Sequence, residues 1–225
     1  MDLNVLCDRL GVELEHQLLE LALTHRSYAY ENGNIPNNER LEFLGDSVLG
    51  FLVTTHIHDL LTDLPEGELT KVKNAVVSAR ALAGVAAGIG LGEFMRLGKG
   101  EDQTGGRAKL NLLADTFEAI LGAVFVSKGL DAATGLVQKF IFPLLDDTDT
   151  LRENSDPKTT LQEKAQELGL GTVLYQTESE GPDHDLEFHS QVLIAEKVYG
   201  AGDAKSRKAA ETEAAISALK NLLNK

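Results

Sequence analysis

From residue 1 to about 145, apolar residues recur at three-and-four spacing, and the pattern breaks at Gly-rich or Pro-containing points. That periodicity predicts a succession of amphipathic helices, hence an all-helical domain. Pro36 with Asn37 and Asn38 offers a turn and a cap, after which a helix of roughly 25 residues runs through Gly45, Leu49, Phe51 and Leu52 to about Leu61. A glycine inside a helix costs about 0.5 to 1 kcal/mol relative to alanine, so Gly45 predicts close approach of another backbone or of a metal site. Pro65-Glu66-Gly67-Glu68 opens a second helix, and residues 108 to 126 form a further one.

Residues 146 to 156 are polar, acidic and aperiodic, the character of a flexible linker, and place a domain boundary between 1–145 and 157–225. Beyond it the pattern changes to a short helix from Pro157 to Leu168, a Gly169/Gly171 break, and β-rich runs Thr172 to Ser179 and Leu186 to Ala195. The turn Glu180-Gly-Pro-Asp-His-Asp185 predicts that those two strands are antiparallel. A third short strand, Lys197 to Tyr199, leads through Gly200-Ala-Gly-Asp-Ala-Lys205 into a helix with Ala215, Leu219 and Leu222 as its apolar stripe. The order is α-β-β-β-α.

The 225 residues are 43% hydrophobic, enough for one large and one small core. A single cysteine, Cys7, excludes an internal disulfide framework and fits a reducing cytoplasm. No run of eighteen apolar residues exists, and Met-Asp-Leu-Asn at the start lacks the basic and apolar parts of a signal peptide, so a cytoplasmic chain with no membrane partner is expected. The net charge of −14 runs against a nucleic-acid partner. Residues 1–150 hold 12 basic and 22 acidic side chains, net −10, and residues 151–225 hold 9 and 13, net −4. Attraction for RNA then has to come from local basic clusters and bound metal, and it should be modest and salt-sensitive.

Five carboxylates change the picture. Glu39, Glu42 and Asp46 are spaced three and four apart, so a helix stacks them on one face, and Asp115 with Glu118 repeats the arrangement. Each such like-charge pair costs a helix about 0.2 to 0.5 kcal/mol, yet Leu41, Phe43, Leu44, Val48, Phe117 and Ile120 would bury these same helices. Acidic helix faces are ordinarily solvated surface with Lys and Arg interleaved; here only Arg40 is near. Asp and Glu without His or Cys suit hard cations, Mg²⁺ or Mn²⁺, whose natural use is phosphoryl transfer. Glu66, in a first helical turn, is equally well explained by dipole compensation. In the second domain Lys205, Arg207 and Lys208 oppose the dipole at the start of the last helix, a placement that fits a phosphate site.

The stretch Asn38-Glu-Arg-Leu-Glu-Phe-Leu-Gly-Asp-Ser47 resembles the signature of the bacterial ribonuclease III family. Thr24-His-Arg-Ser27, Glu66-Gly-Glu-Leu69 and Leu113-Ala-Asp-Thr-Phe-Glu-Ala119 with Gly122 follow in that family's order. Asp156-Pro-Lys-Thr-Thr-Leu-Gln-Glu163, Gly181-Pro-Asp-His184 and Ser206-Arg-Lys-Ala-Ala-Glu211 resemble the RNA-contacting regions of a double-stranded RNA-binding domain. The resemblance implies an all-α endonuclease domain followed by a small α+β (α-β-β-β-α) double-stranded RNA-binding domain. It makes Glu42, Asp46, Asp115 and Glu118 the Mg²⁺ cluster, with Mn²⁺ able to substitute and with Asp46 and Glu118 tied most tightly to catalysis. Glu39 and Glu66 would touch substrate, Thr159, Gln162, Glu163 and His184 would face minor grooves, and Lys205, Arg207 and Lys208 would take phosphates. A homodimer is implied, with Phe43 packing across it, each site cutting one strand of double-stranded RNA; no DNA partner is expected. Asn111, Ala204 and Glu187 depart from the family pattern, and the last two bear on duplex affinity rather than on the cluster. Two other readings fit parts of the pattern: a non-catalytic double-stranded RNA-binding regulator on the same fold, and an acidic helical interaction module with no RNA partner.

Overall fold

The structure is a computed structural model that describes residues 2–147, 156–182 and 186–223. They form two compact units that divide between Leu151 and Arg152. Most of the expected linker lies outside the described residues, although Asp146 and Asp147 at its start close a 3-10 helix spanning Phe142–Asp147.

The first unit is helical: α1 (Leu3–Leu10), α2 (His16–Leu23), α3 (Arg26–Glu31), α4 (Glu39–Leu60), α5 (Glu66–Val76), α6 (Ala79–Gly88), α7 (Lys99–Gln103), α8 (Leu110–Lys128) and α9 (Leu130–Phe140). The long α4 starts where Pro36 and the two asparagines predict. The cap is divided between the two: the Asn37 side chain accepts the Glu39 N–H at 3.2 Å, while Asn38 is buried and its N–H reaches the Thr24 carbonyl at 2.9 Å. α8 packs against α2, α4, α6 and α9, and a stretch from Leu113 to Val124 is almost wholly buried. By length and composition α8 is apolar enough to cross a membrane, but its neighbours cover it, and it is the central helix of this unit.

The crossing of α4 and α8 explains Gly45. A Cβ at Gly45 would overlap the carbonyl oxygen of Glu118, and one at Gly122 would overlap the carbonyl oxygen of Leu41. The two helices therefore touch backbone to backbone, which a larger residue on either side forbids. Side chains flanking each glycine are carried into the same space, and those are Glu42 and Glu118.

In the second unit, α10 (Pro157–Glu167) precedes β1 (Val173–Glu180), β2 (Glu187–Ile194) and β3 (Lys197–Ala204), and α11 (Arg207–Leu223) ends it. The sheet is antiparallel in the order β1-β2-β3, with Thr177 opposite Ser190 and a bulge between Val192 and Leu193. α11 covers all three strands, and Leu161, Val173, Val192, Ile194, Ala214, Ala218 and Leu219 form the core. Ala215 and Leu219 are buried and Leu222 packs against them, as the stripe requires.

The third strand is longer than the sequence predicts. Gly200, Ala201, Gly202, Asp203 and Ala204 read as a loop because glycine weakens a strand, yet they pair with β2 as far as Phe188↔Ala204. A Cβ at either glycine would collide with the α11 backbone near Ala214, so the missing side chains let the helix lie directly on the strand.

Replacing Gly45 with Ala should lower stability by about 3 kcal/mol or more, because the clash is with backbone and not with a flexible side chain. The exposed Gly135 in α9 meets nothing within 4 Å, and Ala there should add about 0.5 to 1 kcal/mol. Urea unfolding followed by helical circular dichroism compares the two; equal effects would mean that the crossing is not close.

Candidate functional site

Oxygens of Glu42, Asp115 and Glu118 lie within 4.8 Å of one another, and all three residues are half-buried. α4 contributes the first, and Asp115 and Glu118, one turn apart on α8, contribute the others. Asp46, one turn beyond Glu42, is exposed and stands at the rim of this group, near enough to raise the pKa of both Glu42 and Glu118. The structure thus gathers three of the four carboxylates of the expected cluster and places the fourth beside them. Glu39 lies further out, exposed, 3.7 Å from Arg26 and hydrogen-bonded by Asn37 at 3.1 Å. Glu66 is also exposed, in the first turn of α5, where it accepts from Thr70 at 2.9 Å.

The electrostatics of the group are those of acids lacking a counterion. Burial, and then the charges of Asp46, Asp115 and Glu42, push the Glu118 carboxyl up to about 8. Burial also raises Asp115, against the opposing pull of His25 and Arg26, and it raises Glu42 with help from Asp115. Among the described residues no Lys or Arg forms an ion pair with any of the three. Like charges at this spacing are tolerated only if a proton or a cation intervenes. An all-oxygen donor set fits a hard divalent cation such as Mg²⁺ or Mn²⁺.

His25 and Arg26 were given no role by sequence reasoning, although they stand in the Thr24-His-Arg-Ser27 block. The His25 ring pairs with the Ser27 hydroxyl at 2.7 Å, and that hydroxyl accepts the Gly98 N–H at 2.9 Å. Burial holds the imidazole below its ordinary value despite nearby Glu101, Asp115 and Glu39, so a neutral ring is favoured. Arg26 is the cation nearest in effect to the acids: it lowers Glu42 and Asp115 without pairing with either.

In the second unit Asp156 caps α10 by accepting the Thr159 N–H at 3.2 Å; Thr159 is exposed, and Gln162 and Glu163 are half-buried. The Gln162 side-chain oxygen takes the Val173 N–H at 3.3 Å, tying α10 to β1. His184 lies outside the described residues. Ser206 caps α11 by accepting the Ala209 N–H at 3.3 Å, and Lys205, Arg207 and Lys208 are exposed around that end. Lys205 pairs with Glu187 at 2.9 Å and Arg207 with Glu211 at 3.1 Å. Glu211 also takes Lys158 at 2.6 Å. Both Lys158 and Glu211 stand within stretches that resemble RNA-contacting regions, but their types and spacing alone assign them no function.

A helical unit with a carboxylate group fit for a divalent cation, together with an α-β-β-β-α unit presenting cations at a helix start, fits a nuclease with an RNA-binding module. The comparisons agree. The chain matches the Ribonuclease-III-like family over residues 15–145 and the Double-stranded RNA binding motif over residues 157–222. It is 52% identical to Ribonuclease 3 of Leifsonia xyli across 99% of this chain and 94% of that protein, and 51% identical to Ribonuclease 3 of Streptomyces coelicolor across 95% and 78%. A solved nuclease domain of ribonuclease III from Campylobacter jejuni superposes with a TM-score of 0.59 at 34% identity, covering 63% of this chain and 99% of that one. The chain belongs to the bacterial ribonuclease III family and is an endoribonuclease acting on double-stranded RNA.

The raised Glu118 carboxyl has a consequence for stability without divalent cations. Its folded value of about 8 stands above its ordinary 4.5, so the folded protein holds a proton that the unfolded chain releases. That contribution is complete below pH 4.5 and is lost as pH rises through about 8. In EDTA the thermal transition of the helical unit should therefore fall between these limits more steeply for the unaltered chain than for Glu118→Gln. Matching slopes would show that Glu118 is not the group concerned.

Proposed function

We propose that the chain is a Mg²⁺-dependent endoribonuclease, with Mn²⁺ able to substitute, that hydrolyses phosphodiester bonds of double-stranded RNA to 5′-phosphate and 3′-hydroxyl ends with two-nucleotide 3′ overhangs. The observation that carries this reading is the convergence of Glu42, Asp115 and Glu118 oxygens within 4.8 Å, with no Lys or Arg ion-paired to them among the described residues. Glu42, Asp115 and Glu118 would hold the cation, with Asp46 beside them at the rim. When bound, the cation supplies Lewis-acid neutralisation of the charge that grows on the scissile phosphate. The side chains fix its position: Gly45 and Gly122 hold α4 against α8, so the carboxylates are placed before substrate arrives. Asp46 and Glu118 are the residues we assign to catalysis. Glu39 and Glu66, both exposed, are assigned to substrate contact.

The active form is proposed to be a homodimer in the cytoplasm, each subunit cutting one strand, with precursors of ribosomal RNA and structured messenger and transfer RNA precursors as substrates. Phe43 supports the dimer. It follows Glu42 on α4, is 77% exposed, and shares that helix with Phe51, 58% exposed. Two aromatic rings left in water on one helix are the kind of anchor an interface buries. The nuclease domain of the Campylobacter jejuni ribonuclease III, similar to the helical unit, has a structurally flexible region involved in dimer formation.

Incubating the chain with a defined RNA hairpin, with and without Mg²⁺, and mapping product ends tests metal, strandedness and stagger together. Glu118→Gln should lower cleavage at least about 10³-fold, comparable to losing one preorganised transition-state contact, while leaving duplex binding within two-fold or so. A Glu118→Gln protein that still cuts at the normal rate would sink the assignment.

Phe43→Asp should convert the dimer to a folded monomer, since removal of a central aromatic anchor costs an interface about 2 kcal/mol or more. Light scattering on eluted peaks, with circular dichroism to check folding, reads the outcome; an unaltered dimer would remove Phe43 from the interface.

A further inference from the structure

The cations assigned to duplex binding are held in different ways. Arg207 is fixed by Glu211, whose side chain is only 15% exposed and which also binds Lys158 at 2.6 Å and the Thr177 hydroxyl at 3.4 Å. That carboxylate belongs to the contact between α11 and the sheet and orients the cations around it. Lys205 is paired instead with Glu187, the first residue of β2, at 2.9 Å. Both partners are mostly in water, at 63% and 57% exposure, and among the described residues Glu187 pairs with Lys205 alone. Lys208 makes no ion pair among the described residues.

A carboxylate and a phosphate are rival anions for one ammonium group. We propose that Glu187 is a built-in counterion for Lys205 which duplex RNA must displace, so that this acid weakens the chain's grip on its substrate. The proposal rests on the reading of the second unit as the duplex binder. Its fingerprint is in the salt dependence. A free lysine that neutralises a phosphate releases a condensed cation, and each such contact steepens log K against log salt by about 0.9. If Lys205 leaves Glu187 to reach the phosphate, the abandoned carboxylate recruits a cation of its own, and the contact releases almost none. The exposed geometry makes the pair weak, which is what allows RNA to open it.

The test measures binding of the full chain to a defined duplex hairpin in EDTA, where cleavage is absent, by fluorescence anisotropy at several salt concentrations. Glu187→Gln should bind roughly two- to five-fold more tightly, the equivalent of an exposed ion pair, with a salt slope steeper by nearly one. In a Lys205→Gln background the same change should have little effect, because its target is gone. Glu196→Gln, which alters net charge equally at the turn between β2 and β3, controls for bulk charge. Unchanged affinity in Glu187→Gln would overturn the proposal. So would an equal gain in the Lys205→Gln background or an equal gain from Glu196→Gln. If no variant binds duplex at any salt, the reading of this unit as the duplex binder falls along with it, a result distinct from binding that ignores Glu187.

Discussion

The backbone contact between α4 and α8 is the constraint on which the site depends. Helices ordinarily pack with their axes about 8 to 10 Å apart, separated by side chains. At Gly45 and Gly122 there are none, and the carbonyls of Glu118 and Leu41 occupy the room a Cβ would need. The glycine in α4 costs helix propensity locally and gains a short crossing in exchange. That crossing brings an acid from α4 against two acids from α8, an arrangement no single helix can make, since i, i+3 and i, i+4 neighbours line one side only. Partial burial at that crossing then raises the energy of the charges.

Much of this was legible in the chain. Gly45 stood out as an interior glycine amid strong helical periodicity, and a close backbone was one of the two explanations it allowed. The acids at 42, 46, 115 and 118 were visible by spacing, because three-and-four intervals survive the conversion from sequence to helix unchanged. The finer geometry was not visible. Asp46 shares the stripe with Glu42 yet is exposed where Glu42 is half-buried, and exposure turn by turn depends on which neighbour covers each side of the helix. His25 and Arg26 are held near the acids by tertiary contacts of their segment, among them the Thr24–Arg96 bridge and the hydrogen bond from Asn38 to Thr24.

The length of β3 is hidden from the sequence for a related reason. A sequence rule reads glycine as a break, and Gly200 and Gly202 are two of them close together. What they supply is flatness on the face beneath α11, and that requirement belongs to the partner helix rather than to the strand. The pairing of Lys205 with Glu187 is equally invisible, since the two residues meet through the β2–β3 register and the start of α11.

Charge sets the last problem, because both parts of the chain are acidic: the first 150 residues carry a net −10 and the remainder −4. Long-range fields therefore repel a polyanion from most directions, and screening at physiological salt confines attraction to about 8 Å around individual cations. Attraction that short-ranged depends on where each cation is held. Glu211 fixes Lys158 and Arg207 in place, which lowers the entropy that any anion binding there would cost those long side chains. The carboxylate cluster poses the same problem within the helical unit, where a phosphate can approach only after the acids' own charge is offset. A protein of this charge therefore gains discrimination from its repulsion: a ligand must offer phosphates in the geometry of the few cations available, and a duplex with regularly spaced backbones does so where a disordered polyanion does not.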